Sequence, residues 1–495
     1  IREGLTMITS AVMVLLICVF VFIPLLLGEI ARNRSTQRIS NFLLQDRKMS
    51  IVPLFATVFG TWISVFAFVG GIGYFYNDGP IYLTSIGWDA LFAVLFIIVG
   101  KRIWYYGKHN NYFTPTDFFD DIYGSKFLNG IVTTITIICT MIYLQVQIVG
   151  GLMVMQIATN GVVSIYMGAF IIFTILVIYL WAGGIRAVAL TDAFYGILIV
   201  VAILASGFFI MKLAGGHEYV FNNLINKNIA NVSLGGERTF ARTTQWLALF
   251  LIVPIGAFMG PQMWLRNYAS SKERNFDIMP LLICLSSIIC IGTLFAGSGC
   301  ASLVDHTENA EALLIEIIMH KANPYFYVFV LIGIYAAIFS TANSQVHALS
   351  AIYTMDIHKR YINDKIPEQK LLRVAKFAVI AVSAASYLLV ILVPQSIMDL
   401  AVIALGGTAQ LIVPVIGALY WKRSSPIGAI IGLLSGEGIY LLSIYFNSGD
   451  ASYCAILALG INILCFISGS ITDIRRIKVY SKITSYANNY KMRNE

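Results

Sequence analysis

Between Ala336 and His347 the sequence runs Ala-Ala-Ile-Phe-Ser-Thr-Ala-Asn-Ser-Gln-Val-His. On a helix, Ser340, Ser344 and His347 fall at i, i+4 and i+7 and share one face. Hydroxyl oxygens are neutral hard ligands, suited to a small cation such as Na⁺ when backbone carbonyls join them. Ser and Thr also hydrogen-bond one membrane helix to another, which is the plainer use of such a cluster. Carbonyls come free where helices are built to break. Phe59-Gly60-Thr61-Trp62-Ile63-Ser64, followed by Gly70-Gly71, is one such place, and Pro254-Ile255-Gly256-Ala257-Phe258-Met259-Gly260-Pro261 is another. Gly and Pro serve packing in many membrane helices. A matched pair of interruptions points instead to a binding site near the bilayer midplane.

Other polar groups fall inside apolar runs. Asp89, next to Trp88, sits midway along one run and reads as a solute contact, a proton acceptor or the partner of a buried polar group. Asp192 lies near the end of another run, where it either functions or reaches water. Glu437 reads as structural. His347 either carries a proton near neutral pH or is a packed, hydrogen-bonded histidine. Gln145, Gln147 and Gln156 either hydrogen-bond a solute or glue helices together. No arginine or lysine is expected mid-span, so nothing here demands an anionic solute. No nucleophile–base constellation or cofactor motif stands out, and an enzyme is not expected. The seven cysteines are scattered without a C-x-x-C spacing, which argues against a zinc site or a disulfide framework.

The elements that must hold these groups follow from composition. Of 495 residues, 58% are hydrophobic and 12% charged, with a mean hydropathy of +0.79. Apolar runs of roughly 20 residues or more read as membrane-spanning helices, because backbone in lipid must satisfy its own hydrogen bonds. A β-barrel would instead show short alternating segments. Thirteen spans are expected, near 5–29, 51–76, 80–100, 127–157, 162–181, 188–213, 244–265, 278–303, 324–356, 371–393, 397–421, 426–446 and 451–470. The first is too long for a signal-peptide core, although a chain starting at Ile1 can lack its native N-terminus. The broken spans are the second and seventh; five apart, they cross in opposite directions. Of the 33 Lys and Arg residues, 27 fall in the segments expected on one face, Arg266 among them. The positive-inside rule then puts the N-terminus outside and the C-terminus in the cytoplasm. The net charge of +8 follows from that topology, and a nucleic-acid partner is not expected.

Four stretches resemble the sodium:solute symporter family, which includes the proline, pantothenate, sialic-acid and glucose cotransporters. Ser40-Asn41-Phe42-Leu43-Leu44-Gln45-Asp46-Arg47 is similar to the loop before that family's first core helix. Gly183-Gly184-Ile185-Arg186-Ala187-Val188-Ala189-Leu190-Thr191-Asp192 is similar to its G-G-x-x-x-V-x-x-T-D signature, the most specific of the four. Ala337 to Asp356-Ile357 resembles its sodium-binding helix, and Gly406 to Pro414 followed by Gly417–Arg423 its late signature. The resemblance covers essentially the whole chain. It implies an all-α, leucine-transporter-like five-plus-five inverted repeat: one extra helix (5–29), a first repeat (51–213), a second (244–421), two further helices (426–470) and a cytoplasmic tail (471–495).

The same resemblance implies a main sodium site of Gly60, Ile63, Ala337, Ser340 and Thr341. It implies a second sodium site from Asp192, Ser340, Asn343 and Ser344. Asn343 departs from the family's hydroxyl there, as Tyr195 departs from its glutamine, so one coupling sodium is better supported than two. Solute contacts are expected from Thr61, Trp62, Ser64, Gln145, Gln147 and the segment from Phe258 to Gln262. The expected function is import of a small solute with Na⁺ by alternating access, by a monomer embedded in the lipid bilayer of the cell membrane. Rival readings are proton coupling through Asp89 or His347, and a solute sensor that moves nothing. The short tail, read as carrying no output module, weighs against the sensor.

Overall fold

A computed structural model describes residues 22–31, 38–79, 84–159, 161–228, 232, 240–390, 397–446 and 449–473. Most of the expected first span, 5–29, and most of the tail lie outside these residues. The chain is all-helical, with no strand among the described residues beyond an isolated Met49–Ser270 bridge. In order come α1 (Phe22–Ala31), α2 (Ile39–Leu44), α3 (Ile51–Trp62), α4 (Phe66–Asp78), α5 (Thr84–Leu95), α6 (Lys101–Asn110), α7 (Pro115–Tyr123), α8 (Lys126–Ala158), α9 (Ile165–Leu213), α10 (His217–Lys227) and α11 (Phe240–Met259). There follow α12 (Pro261–Ala269), α13 (Asn275–Ser286), α14 (Ile289–Leu303), α15 (Leu313–Lys321), α16 (Pro324–Ile352), α17 (Glu368–Val390), α18 (Ile397–Ala409), α19 (Ile412–Tyr420), α20 (Pro426–Tyr445) and α21 (Ala451–Thr472).

Eight described helical spans are long and apolar enough to cross a bilayer, and two bent helix pairs raise the number to ten. Those pairs are α3 with α4, bent by 53°, and α11 with α12, bent by 57°. They are the two spans whose Gly and Pro content marked them. At the first break Ile63 leaves the helix in extended conformation (φ −87°, ψ 98°), and Ser64 Oγ accepts the Phe66 N–H at 3.1 Å to restart it. At the second, Gly260 and Pro261 end one helix and begin the next, the proline standing where no N–H partner is needed. Gly256 lets α11 reach α18: a Cβ there would lie 2.1 Å from the Leu405 carbonyl oxygen.

The expected spans 162–181 and 188–213 join into the long α9, with its break at Gly184 (φ +56°). A side chain at Gly184 would meet the Phe42 carbonyl oxygen at 2.4 Å, so the signature glycine serves both its own backbone and the docking of α2. α2 ends in three consecutive left-handed residues, Gln45, Asp46 and Arg47. Ser40 Oγ and Asn41 Nδ2 donate to Asp46 at 2.5 and 2.6 Å and hold that turn. Burial would raise the Asp46 pKa, but these bonds and the charges of Lys48 and Arg38 prevail and hold it below the ordinary carboxylate value.

Candidate functional site

The α3–α4 break faces the hydroxyl-rich stretch of α16. Thr341 Oγ1 donates to the Gly60 carbonyl at 3.1 Å, and Ser340 Oγ donates to the Ala337 carbonyl at 3.1 Å. Ile63 is the residue that leaves the helix, and among the described residues no backbone N–H donates to its carbonyl. All five groups expected to hold sodium are buried: Gly60, Ile63, Ala337, Ser340 and Thr341. Four of them already pair across two hydrogen bonds, so the oxygens converge without a charge among them. Neutral hydroxyl and carbonyl oxygens fit a small hard cation, whose coordination would replace the hydroxyl protons now filling these carbonyls.

Beside this set lies a polar knot that the sequence did not disclose. Arg266, counted above among residues on the basic face, is 1% exposed and reaches into the helix core. This corrects the expectation that no cation lies mid-span. Its Nε donates to Thr57 O and Thr57 Oγ1, both at 3.1 Å. Its Nη2 donates to Thr57 Oγ1 at 2.7 Å and to Ser344 Oγ, and its Nη1 to the Gln262 carbonyl at 2.8 Å. Asp192 completes the knot: Oδ2 accepts from Thr57 Oγ1 at 2.6 Å and lies 3.7 Å from Arg266 Nη2. Asp192 does not reach water; it is fully buried.

Of the residues expected at a second sodium site, Asp192 and Ser344 are therefore brought together, but around a guanidinium. Ser344 Oγ also donates to the Ser340 carbonyl at 2.9 Å. Asn343 is buried, yet neither amide atom has a partner among the described residues. Thr61, expected at the solute, belongs to the knot instead, its Oγ1 lying 2.8 Å from Thr57 O and from Ser344 Oγ. A signal for Arg266 was present. It sits within Trp264-Leu265-Arg266-Asn267-Tyr268, too apolar for a loop, and Lys272 and Arg274 follow as the true helix-end charges.

On the other side of the break a small cavity, with room for about one water at 30 Å³, is lined by Trp62, Phe66, Trp88, Asp89, Tyr143 and Thr293 among others. Of the seven residues expected at the solute, only Trp62 lines it. Ser64 caps α4, and its side chain meets Tyr143 at the cavity edge. Phe258 packs into an aromatic cluster, with ring centroids 5.7 Å from Phe92 and 4.9 Å from Phe96. Gln145 Nε2 donates to the Ser386 carbonyl at 3.4 Å, and the buried Gln147 makes no side-chain bond among the described residues. Gln262 enters the knot through its backbone carbonyl. Asp89 is 3% exposed and accepts from Trp62 Nε1 at 2.5 Å.

His347 lies elsewhere, its Nε2 3.0 Å from the Phe42 carbonyl oxygen. A carbonyl only accepts, so Nε2 carries the proton and the ring is a latch on α2. At the far end of α4 from Arg47, a larger cavity of about 400 Å³ is lined by Asp78, Glu308, Glu311, Asp399 and Asp450, with no lysine or arginine among its described lining.

Residues 42–436 match the Sodium:solute symporter family. The Sodium/proline symporter of Haemophilus influenzae is 24% identical over 443 residues, 84% of this chain and 85% of that protein. The Sodium/pantothenate symporter of Escherichia coli is 26% identical over 449 residues, 89% and 92% of the two chains. Among solved structures, a Na⁺-coupled sialic acid symporter in a substrate-bound outward-open state superposes with a TM-score of 0.79 at 17% identity, covering 94% of this chain and 97% of that one. Mhp1, a nucleobase-cation-symport-1 family transporter in a closed conformation, gives 0.58 at 13% identity, covering 88% and 97%. The fold is that of these leucine-transporter-like proteins.

Proposed function

The chain belongs to the sodium:solute symporter family, and from that premise we propose that it imports a small solute into the cell together with Na⁺ by alternating access. It is a multi-pass membrane protein and a Na⁺-coupled secondary transporter, not an enzyme. The observation that carries the finer reading is the bond from Thr341 Oγ1 to the Gly60 carbonyl, which joins α16 to the break in α3. One coupling sodium sits there, on the carbonyls of Gly60, Ile63 and Ala337 and the hydroxyls of Ser340 and Thr341. Sodium on both elements favours the conformation in which they touch, and coupling needs only that difference in affinity between states. Inward movement of the ion gains about 2.3 kcal/mol per 100 mV of membrane potential.

The Arg266 guanidinium supports one sodium over two, because it sets a positive charge 3.7 Å from Asp192 Oδ2 and donates to Ser344 Oγ. Thirteen spans in a five-plus-five repeat, with the N-terminus outside and the C-terminus cytoplasmic, remain the reading of the rest of the chain. On that topology the acidic cavity opens outward and α2 closes the cytoplasmic end. The transporter acts as a monomer.

The test is Na⁺-dependent thermal stabilisation of the purified protein, wild type against the Ser340→Ala/Thr341→Ala pair. The expected outcome is a loss of Na⁺ response of about 100-fold in concentration, two ligands at roughly 1.4 kcal/mol each. An unchanged sodium response would sink the site.

A further inference from the structure

Asp89 is a buried carboxylate with nothing positive to face. Its polar neighbours are the Trp62 indole N–H, the Ser287 side chain and Cys290, and among the described residues no lysine, arginine or histidine pairs with it. A carboxylate removed from water without a cation costs several kcal/mol, and proteins rarely leave one so. The protein supplies a cation to another buried carboxylate beside the same helix break, Asp192, from Arg266. At Asp89 the described residues supply no cation, so the charge is met either by a proton or by a cation from outside the chain.

The surroundings select which cation. Ser85 and Ser287 are the nearby hydroxyls, and Ser85 Oγ is engaged with Cys290 Sγ at 3.5 Å. The rest of the wall combines four aromatic rings, Trp62, Phe66, Trp88 and Tyr143, with Thr293 and aliphatic side chains such as Ile289 and Leu405. Na⁺ wants a full shell of hard oxygens; beyond Asp89 and the hydroxyls of Ser85, Tyr143 and Thr293 the lining side chains offer none. An organic ammonium wants a carboxylate and π faces, which it has. Trp62 is fixed by stacking on Phe92 (4.3 Å, 10° between planes), while Phe66 and Trp88 lie parallel but 6.0 Å apart and are the rings that can part to admit a solute. The acidic cavity beyond repeats the choice of sign, since five carboxylates there draw cations and repel anions.

We infer that the transported solute carries an ammonium group, and that Asp89, with the aromatic wall around Trp62, is the site that recognises it. This rests on the transporter reading above and narrows its substrate class. It sets the chain apart from relatives whose named solutes, pantothenate and sialic acid, bear no ammonium.

The experiment is a thermal-shift and tryptophan-fluorescence titration of the full chain in detergent, in Na⁺ and in K⁺. The probes are matched pairs: L-proline with cyclopentanecarboxylate, L-alanine with L-lactate, and glycine betaine with tert-butylacetate, plus pantothenate and sialic acid. The expected result is a Na⁺-dependent response to at least one ammonium-bearing member and none to its partner. Asp89→Asn should then weaken that response by at least about 30-fold, the low end for removing one side of a buried charge pair. The shift caused by Na⁺ alone should persist in Asp89→Asn, which reports that the variant is folded.

The inference is overturned if no ammonium-bearing probe responds, if a partner lacking the ammonium binds as well, or if Asp89→Asn binds the amine within about 3-fold of wild type. It is also overturned if an uncharged solute is taken up only with a proton gradient that Asp89→Asn abolishes, since Asp89 would then be a proton site. Loss of the Na⁺ shift in wild type would strike the sodium site and leave this assignment to be judged on K⁺ titrations, where a matched-pair preference still supports it and equal binding refutes it.

Discussion

Asp192 and Asp89 flank the same helix break, both in apolar helices and both withdrawn from water, and their surroundings differ in one respect. Around Asp192 the protein brings its own cation. Arg266, from the second broken span, bonds to Thr57 on the first and to Ser344 on α16, so one guanidinium ties three elements. Around Asp89 the protein brings an indole N–H, a hydroxyl and aromatic faces, and no cation. A charge that is balanced internally holds a structure together. A charge left unbalanced beside a cavity asks for a ligand. The two sites thus divide the work of the break between assembly and recognition.

Removing the internal cation should break the comparison most severely. Arg266→Met keeps much of the volume but leaves Asp192 unpaired, and is expected to cost about 3–5 kcal/mol of stability. A large drop in thermal midpoint in detergent would report it. Adding Asp192→Asn should recover much of that loss, since the double variant has no orphaned charge; recovery of nothing would mean the guanidinium acts through packing alone. Trp62→Phe tests the other side by deleting the indole donor to Asp89. An expected cost of about 1–3 kcal/mol should fall on affinity for the ammonium-bearing solute more than on Na⁺ response, read by the same titration.

The smallest effect concerns a third carboxylate, Asp46, which is half-buried outside the apolar spans and held by hydrogen bonds. Its folded-state pKa lies below 3.8, so its contribution is full above the unfolded value and is lost as pH falls through the folded one. The midpoint difference between wild type and Asp46→Asn should therefore shrink on acidification below pH 4 or so, from under about 1 kcal/mol at neutrality. A difference that grew at low pH would contradict the sign.

How much of this was legible in the sequence depends on the range of the interaction. The helix breaks were, because Gly60, Gly256, Gly260 and Pro261 act on their own backbone. The polar face of α16 was, because Ser340 and Ser344 follow helical period; that His347 turns to Phe42 instead was not. Arg266 was not. Its burial is decided by Thr57, 209 positions away, and a positive residue just past an apolar run is normally a helix-end charge. Thr61 was misplaced for the same reason: its hydroxyl turns to Ser344, 283 positions on. Asp89 was visible as an oddity, but what it lacks only became a fact once its neighbours were in view.

The short α2 carries a kinetic consequence. It is fastened by Glu368 to the Ile39 N–H at 3.2 Å, by His347 to the Phe42 carbonyl, and by the bare backbone at Gly184 against which Phe42 lies. If the end that carries α2 is to open, these fastenings must let go in every cycle, and their combined strength enters the activation barrier of that step. We expect α2 to act as the governor of turnover. Loosening it, as with His347→Ala, would raise the opening rate and let sodium slip through unaccompanied, which a sodium-efflux trace from loaded vesicles without solute would register. A faster carrier would then be a leakier one.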